Sequence, residues 1–457
     1  MNSLTAALTN LFRRAPDSAE TTADRGGPDS LVWRPEIPLS KEPSQVTMTE
    51  LVLPSHCDGR GFCLGAAKKH GVYPAVTRSV DAVHFLGPIT TQNIVIIQAS
   101  VNRAWKTSME VGVRVMTEEL LSADQRYCCH AYLTFVALPQ PPLTTLTSSQ
   151  PHLPSQPPLP QGSAQTEDAA ATRAVLSESL AARRYSFSLP SSKSDSKLNA
   201  KHLPTIQLPA IEPTTSVEME RYNMAQSRRE TRLQQSKEAK EEEDKLLSDV
   251  RDQMRRWNVT QTESPNLKLP PSEDDGLPRM SIQATFAESV QLVLPQHANS
   301  LSITFGGQVM KWMENVAAVS ASRFARVPIV TASIDSLQFH RKTMIGDCLT
   351  MRSVVTRVFK SSMEIYVFVD SENLVTGKQT FTNEAFFSMV ALQPTPSLQP
   401  MKARLPYLVP GSDLETALSD AGEKRRLRRL QQRHELAERE IQFLVHSPSI
   451  EQTTNPI

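Results

Sequence analysis

Asn299, the glycine pair Gly306-Gly307 and Glu314 precede and enter one long apolar run of this 457-residue chain. These residue types suit one kind of chemistry. A Gly pair opening a helix presents unpaired backbone N–H groups and the positive end of the helix dipole, and it lets a bound group approach the backbone closely. Such an arrangement stabilises a developing oxyanion. An Asn amide adds another donor, and a carboxylate on so apolar a helix orients or deprotonates water. Each residue also has a structural reading. Gly-Gly permits a tight turn, Asn suits a turn or cap, and Glu314 pairs with a basic neighbour such as Arg323, because an unpaired buried charge is costly. The five Cys (57, 63, 128, 129 and 348) lack metal-ligand spacing, so no metal is expected.

The elements around these residues follow from periodicity. Residues 308–325 predict a helix with Val309, Met313, Val316, Ala317, Ser320 and Phe324 on one side. Residues 330–339, 348–359, 363–370 and 384–392 alternate as strands, and Gly346-Asp347 and Gly377-Lys378 supply turns. A short strand, a long helix and then several antiparallel strands predict an α+β fold in which a curled sheet wraps one buried helix, the hot-dog arrangement.

Much of this stretch occurs twice. Leu51-Val52-Leu53-Pro54-Ser55-His56 returns as Leu292-Val293-Leu294-Pro295-Gln296-His297. Val76-Thr77-Arg78-Ser79-Val80-Asp81 returns as Val330-Thr331-Ala332-Ser333-Ile334-Asp335, Arg103 to Glu110 as Arg357 to Glu364, and Ala131 to Leu138 as Ala385 to Leu392. The offset is 241 residues at the first block and 254 at the other three, so repeat one is 13 residues short between His56 and Val76. Four blocks in one order mean an internal duplication. The missing stretch corresponds to the Gly-Gly turn and most of the helix, so repeat one is expected to have a truncated central helix.

Composition supplies the remaining boundaries. A formal charge of +1 gives no field that selects nucleic acid or a membrane surface, and no apolar run is long enough to span a bilayer. Residues 1–45 are polar and expected to be disordered, with a weak presequence-like start that leaves a mitochondrial address open beside a cytoplasmic one. Residues 46–139 form the first domain and 140–215 a Pro/Ser-rich linker. Residues 216–258 form a charged helix that reads as solvated and crossing between domains, and 281–394 form the second domain. Residues 395–457 form a tail whose helix, from about 413 to 443, carries the basic run Lys424-Arg425-Arg426-Leu427-Arg428-Arg429 on a solvated face. Free thiols are expected, since adjacent Cys128 and Cys129 have poor geometry for a mutual disulfide.

His297-Ala298-Asn299, Phe305-Gly306-Gly307-Gln308, Trp312-Met313-Glu314, Val330 to Asp335, Gly346-Asp347 and Ser362-Met363-Glu364 together resemble the acyl-CoA thioesterases with tandem hot-dog domains. The resemblance is to the group of the cytoplasmic acetyl-CoA hydrolase and the brown-fat-inducible thioesterase, and it extends to Ser227-Arg228-Arg229-Glu230-Thr231-Arg232-Leu233. It implies hydrolysis of acyl-CoA to a free fatty acid and coenzyme A. Coenzyme A is then part of the substrate, and no further cofactor is needed. It implies that Asn299 and the Gly306 and Gly307 amides polarise the thioester while Glu314 handles water. It also implies that each site spans two hot-dog units, the Asn from one and the acid from the other. Asp58 stands where repeat two has Asn299, so Glu314 is expected to face Asp58, and Asn299 a repeat without the acid. By the same resemblance coenzyme A contacts fall on Arg78-Ser79-Val80, Thr107-Ser108-Met109, Arg229, Ala332-Ser333-Ile334, Phe339-His340-Arg341 and Ser361-Ser362-Met363, with Lys106 and Lys360 near phosphates. A trimer of two-domain chains is expected, and a START domain is not, given the short tail. The alternative, set by the shortened repeat, is an acyl-CoA binder or scaffold without turnover.

Overall fold

The computed structural model describes residues 40–138 (apart from 42–44, 52–65, 68, 72–73, 88, 90–92, 121 and 123) and 207–257 (apart from 235–238). It also describes 268–299 (apart from 273–275), 301–393 and 401–446. The linker expected over 140–215, the presequence-like start, Asp58 and most of repeat one's expected helix remnant therefore lie largely or wholly outside the described residues. Repeat one contributes β1 (Ser40–Lys41), β2 (Gln45–Leu51), β3 (Ala75–Val80), β4 (Val83–Phe85), β5 (Asn93–Ala104), β6 (Ser108–Glu119) and β7 (Gln125–Ala137). It continues with β8 (Ala210–Ile211), α1 (Ser216–Gln234) and α2 (Ala239–Arg255). Repeat two contributes β9 (Lys268–Leu269), β10 (Arg279–Ser281), β11 (Ala287–Leu292), α3 (Gly306–Ala325), β12 (Ile329–Ile334) and β13 (Leu337–Gln338). Then come β14 (Asp347–Val358), β15 (Ser362–Asn373), β16 (Lys378–Gln393), β17 (Met401–Lys402), β18 (Tyr407–Val409) and α4 (Asp413–His446).

The fold is α+β, two hot-dog units sharing one antiparallel sheet. Its strands run β11-β14-β15-β16-β12-β4-β7-β6-β5-β2. In repeat two the sheet encloses α3, whose Met313, Val316, Ala317, Ala321 and Phe324 are buried against Leu349, Met351, Ile365 and Val367 of β14 and β15. Two short pairings join the repeats. Ser333 and Ile334 of β12 pair with His84 and Val83 of β4, and Leu337 and Gln338 of β13 pair with Val80 and Ser79 of β3. At the 254-residue offset β4 corresponds to β13 and β3 to β12, so the seam is built from two equivalent pairings.

The bulges repeat as well. Register shifts fall between Thr77 and Ser79 and again between Thr331 and Ser333. They fall between Val101 and Arg103 and between Val355 and Arg357. The third pair falls between Val115 and Met116 and between Val369 and Asp370. A bulge re-aims side chains and strengthens local twist, so both halves curl at the same places.

The structure corrects three expectations. Alternation over 330–339 reads as one strand, but the chain turns a corner at Asp335-Ser336 and separates β12 from β13. The charged segment after 216 is two helices, and neither is merely solvated. Ala225 of α1 is buried, and Leu247, Val250 and Met254 of α2 pack on Val354, Tyr366 and Phe368 on the outer face of repeat two. The basic run of α4 faces inward in part, because Arg425 and Arg429 are buried.

These arginines belong to a further duplicated block. Arg228-Arg229-Glu230-Thr231-Arg232-Leu233-Gln234-Gln235 corresponds to Arg425-Arg426-Leu427-Arg428-Arg429-Leu430-Gln431-Gln432 at an offset of 197 residues. The contacts repeat with the letters. Arg228 and Arg232 bind Glu110 of β6, and Arg425 and Arg429 bind Glu364 of β15. At equivalent bulges, Asn102 donates a side-chain hydrogen bond to Glu110 and Thr356 one to Glu364. Arg232 also binds Asp81, and Arg429 also binds Asp335. Arg229 lies over the Trp105 ring and Arg426 over Phe359. A capping box of Thr215 and Glu218 opens α1, and in α4 Ser412 accepts the Glu415 N–H while Glu415 accepts the Gly411 N–H. Glu110 and Glu364 have no exposed side-chain surface. A buried carboxylate needs paired cations and hydrogen bonds to be tolerated there, and each repeat supplies both from its own helix.

Candidate active site

A cavity of about 330 Å³ opens at the seam beside the N-terminus of α3. Repeat two lines it with Asn299, Phe305, Gly306, Phe339, His340 and Arg341, and repeat one with Thr77, Arg78 and Phe135. Two hydrogen bonds tie its two sides: the Phe339 N–H donates to the Arg78 carbonyl at 2.9 Å, and the Arg78 guanidinium donates back to the Phe339 carbonyl.

Asn299 is a turn residue as well as a candidate donor. Its Oδ1 accepts the N–H groups of Leu301 at 2.9 Å and Ile303 at 3.1 Å. This Asx turn fixes the side chain and occupies its oxygen, so the Nδ2 amine makes no hydrogen bond to a described residue. Phe305 caps α3 without any side-chain hydrogen bond, leaving the first N–H groups of the helix, those of Gly306 and Gly307, to the cavity end of α3. Gly306 is required by crowding. A Cβ there would lie 3.0 Å from the Phe339 ring and 3.1 Å from Cβ of Thr77, across the seam. Trp312 of α3 meets the His297 ring edge-on at 4.9 Å and braces the loop that carries Asn299.

Glu314 is buried on α3 and does not line this cavity. Its Oε1 accepts the Thr331 hydroxyl at 2.7 Å, whereas Arg323 donates to the Phe286 carbonyl, so the Glu314–Arg323 pair allowed by the sequence does not form. Burial raises the Glu314 carboxyl above its ordinary value, and the Thr331 hydrogen bond only partly offsets this. Thr331 corresponds to Thr77 at the 254-residue offset. The cavity thus holds Asn299, Gly306 and Thr77, while Glu314 and Thr331 lie outside it. The two threonines are functional candidates that sequence reasoning passed over. The signal was their place in a repeated block, Val76-Thr77 and Val330-Thr331.

The expected coenzyme A contacts divide into four groups. Arg78, Phe339, His340 and Arg341 line the Asn299 cavity. Ser361 and Ser362 line a separate cavity of about 1070 Å³ that also collects Arg357, Lys360, Lys402, Arg404 and Arg426. Val80, Met109, Ile334 and Met363 are core residues, and Ser333 is buried too; Val80 also borders a further cavity at the seam. Ser79 lies at the inter-repeat pairing and Ala332 at a bulge, while Thr107 and Ser108 lie at the hairpin between β5 and β6, next to the stacked Arg229 and Trp105.

The chain matches the model of the Thioesterase superfamily at residues 62–123 and 301–378. It is 34% identical over 142 residues to the uncharacterized acyl-CoA thioester hydrolase YkhA of Bacillus subtilis (strain 168), covering 80% of that protein and 30% of this chain. The chain belongs to the thioesterase superfamily. A longer superfamily relative, acyl-coenzyme A thioesterase 11 of Mus musculus, is 28% identical over 385 residues, covering 81% of this chain. The chain spans about half the length of the longer curated relatives it matches, 50% in that case. Among solved structures, an apo-hexameric acyl-CoA thioesterase is 34% identical, with 96% of it covered by 34% of this chain and a TM-score of 0.32. Among the described residues no helix is long and apolar enough to cross a membrane, and no group of His, Cys, Asp or Glu is arranged to hold a metal ion.

Proposed function

We propose that the chain hydrolyses fatty acyl-CoA, water and thioester giving a free acid and the coenzyme A thiol. The observation that carries this reading is the Asn299 turn: Oδ1 is committed to the backbone and Nδ2 is left over, on the same cavity as an uncapped helix N-terminus. In this reading Asn299 Nδ2 and the Gly306 and Gly307 amides hold the thioester oxygen as it becomes negative. Water adds to the carbonyl carbon, the C–S bond breaks, and the departing thiolate takes up a proton. Glu314, hydrogen-bonded by Thr331, is assigned to water activation only for a thioester bound on its own side of the seam; at the Asn299 cavity the proton released by the attacking water passes to the departing thiolate.

The basic cavity beside Ser361 and Ser362 suits the phosphates of the coenzyme A moiety, with Lys360, Arg404 and Arg426 as their partners. Three such chains would assemble through the exposed Val290 and Leu292 on edge strand β11. The free thiols of Cys128, Cys129 and Cys348 suit a reducing compartment such as the cytoplasm.

A second reading, acyl-CoA binding without turnover, is favoured by one observation: Glu314 is not in the cavity that holds Asn299. Thioester hydrolysis over a panel of acyl chain lengths, run on the native chain, Asn299→Ala and Glu314→Ala, separates the two. Equal rates for all three proteins reject this site, and tight coenzyme A binding without product favours the second reading.

A further inference from the structure

We propose that Arg429 of α4 is a positioning residue that holds one wall of the Asn299 cavity in place across the seam, with Arg232 of α1 as its counterpart in repeat one. The inference rests on the reading of that cavity as the thioester site.

Arg429 Nη1 donates to Glu364 Oε2 at 2.7 Å and to Asp335 Oδ2 at 3.0 Å. Glu364 is a fixed point, since it lies on the central strand β15 and also accepts from Arg425 and Thr356. Asp335 is the corner between β12 and β13. The guanidinium therefore ties that corner to the middle of the sheet. Just beyond the corner are β13, only two residues long, and then Phe339, His340 and Arg341 on the cavity wall. So short a strand has little hold of its own. It makes two register pairs with β3 of the other repeat, the Phe339 and His340 N–H groups beyond it donate to the Arg78 and Thr382 carbonyls, and the corner that starts it is its remaining anchor.

The wall has no slack. A Cβ at Gly306 would lie only 3.0 Å from the Phe339 ring, so the wall packs closely against the start of α3. A displacement of an ångström at a reacting centre costs about a hundredfold in rate. Three residues past Arg429, Gln432 Oε1 meets Nε2 of His84 on β4 of repeat one at 3.3 Å, so α4 touches both sides of the seam. In repeat one the same geometry recurs, with Arg232 binding Glu110 and the corner residue Asp81.

Arg425 is the internal control. It is buried and binds Glu364 at 2.8 Å, together with Glu243 and the Leu418 carbonyl, but it does not reach Asp335. Arg429→Met, Arg429→Lys and Arg425→Met are made in the full chain. Each is followed by thermal unfolding, by hydrogen exchange of residues 337–341, and by KM and kcat for an acyl-CoA. Arg429→Met is expected to speed exchange at 337–341 and to raise KM, each about tenfold, with Arg429→Lys recovering part of both. Arg425→Met, with an equal or larger loss of thermal stability, is expected to leave exchange at 337–341 within about twofold. Equal effects of the two Met variants at 337–341, or no effect of Arg429→Met there, would overturn the proposal. If the native chain hydrolyses no thioester, the reading of the cavity fails, and the exchange comparison still decides whether Arg429 holds the wall.

Discussion

Repeat two wraps its sheet around the 20-residue helix α3, whereas repeat one has 13 fewer residues between the matching strands. On the outside the two halves are alike. Each ends in a helix whose two arginines reach a fully buried glutamate on the sheet and an aspartate at the seam corner. Divergence is thus concentrated where a substrate would bind, and likeness where the repeats are braced. The Asn299 cavity draws residues from both repeats, so it depends on how both are braced. The finer difference is burial. The side chains of Arg425 and Arg429 are 4% and 8% exposed, against 19% and 24% for Arg228 and Arg232.

That contrast sets the largest expected effect. Glu364→Ala removes the fully buried carboxylate that two buried guanidinium groups share and should cost about 3–5 kcal/mol of stability, measured by denaturant unfolding. Glu110→Ala should cost visibly less, because water reaches its arginines. Equal losses would mean that the exposure difference has no energetic weight.

Asn299→Ala is expected to lower kcat about 100- to 1,000-fold for acyl-CoA hydrolysis and, through the two turn hydrogen bonds lost, to cost about 1–3 kcal/mol of stability. Thr77→Ala, on the facing repeat, should fall between this variant and the native chain. If Thr77→Ala is silent, the cavity belongs functionally to repeat two alone.

Gly306→Ala pushes a methyl group toward Phe339 and Thr77 and should destabilise the fold by about 1–3 kcal/mol, read in thermal unfolding. Gly346 and Gly377 sit at turns with φ of 90° and 67°, and each has open space where a side chain would stand. Alanine at either turn should therefore show backbone strain without a loss of hydrolysis.

The smallest effect concerns pH. Burial raises the Glu314 carboxyl above its ordinary value of 4.5. The folded state therefore binds the proton more tightly than the unfolded chain. Its contribution is complete below 4.5 and is lost as pH rises through the raised value. Glu314→Gln should accordingly unfold later than the native chain at neutral pH, with the gap closing as pH falls toward 4.5. A gap that widened in acid would reverse the assigned shift.

Much of the fold was legible from alternation, from the apolar face of α3 and from the four repeated blocks, because burial on one side of a strand or helix imposes a period on the letters. The corner at Asp335-Ser336 was hidden, since a polar pair at the end of an alternating run looks like more strand. The arginine braces were hidden for two reasons. Their block repeats at an offset of 197 rather than 254, because the Pro/Ser-rich stretch interrupts repeat one only. Charge density also assigns such helices to solvent until the glutamates facing them are known. In the site, Asn299, Gly306 and Glu314 stood out by residue type. Which of them share a cavity depends on how the strands cross at the seam, and no local pattern carries that.

The Leu138 N–H donates to the Pro74 carbonyl, and the Leu208 N–H donates to the Lys106 carbonyl on the hairpin beside it. Chain exit and re-entry are thereby pinned to neighbouring points of one sheet end. Between two pinned points the entropy of closing a flexible loop grows only logarithmically with its length, by about 0.6 kcal/mol per doubling. Repeat one is therefore a permissive port: a segment spliced in there changes what the protein carries without changing how its halves fit.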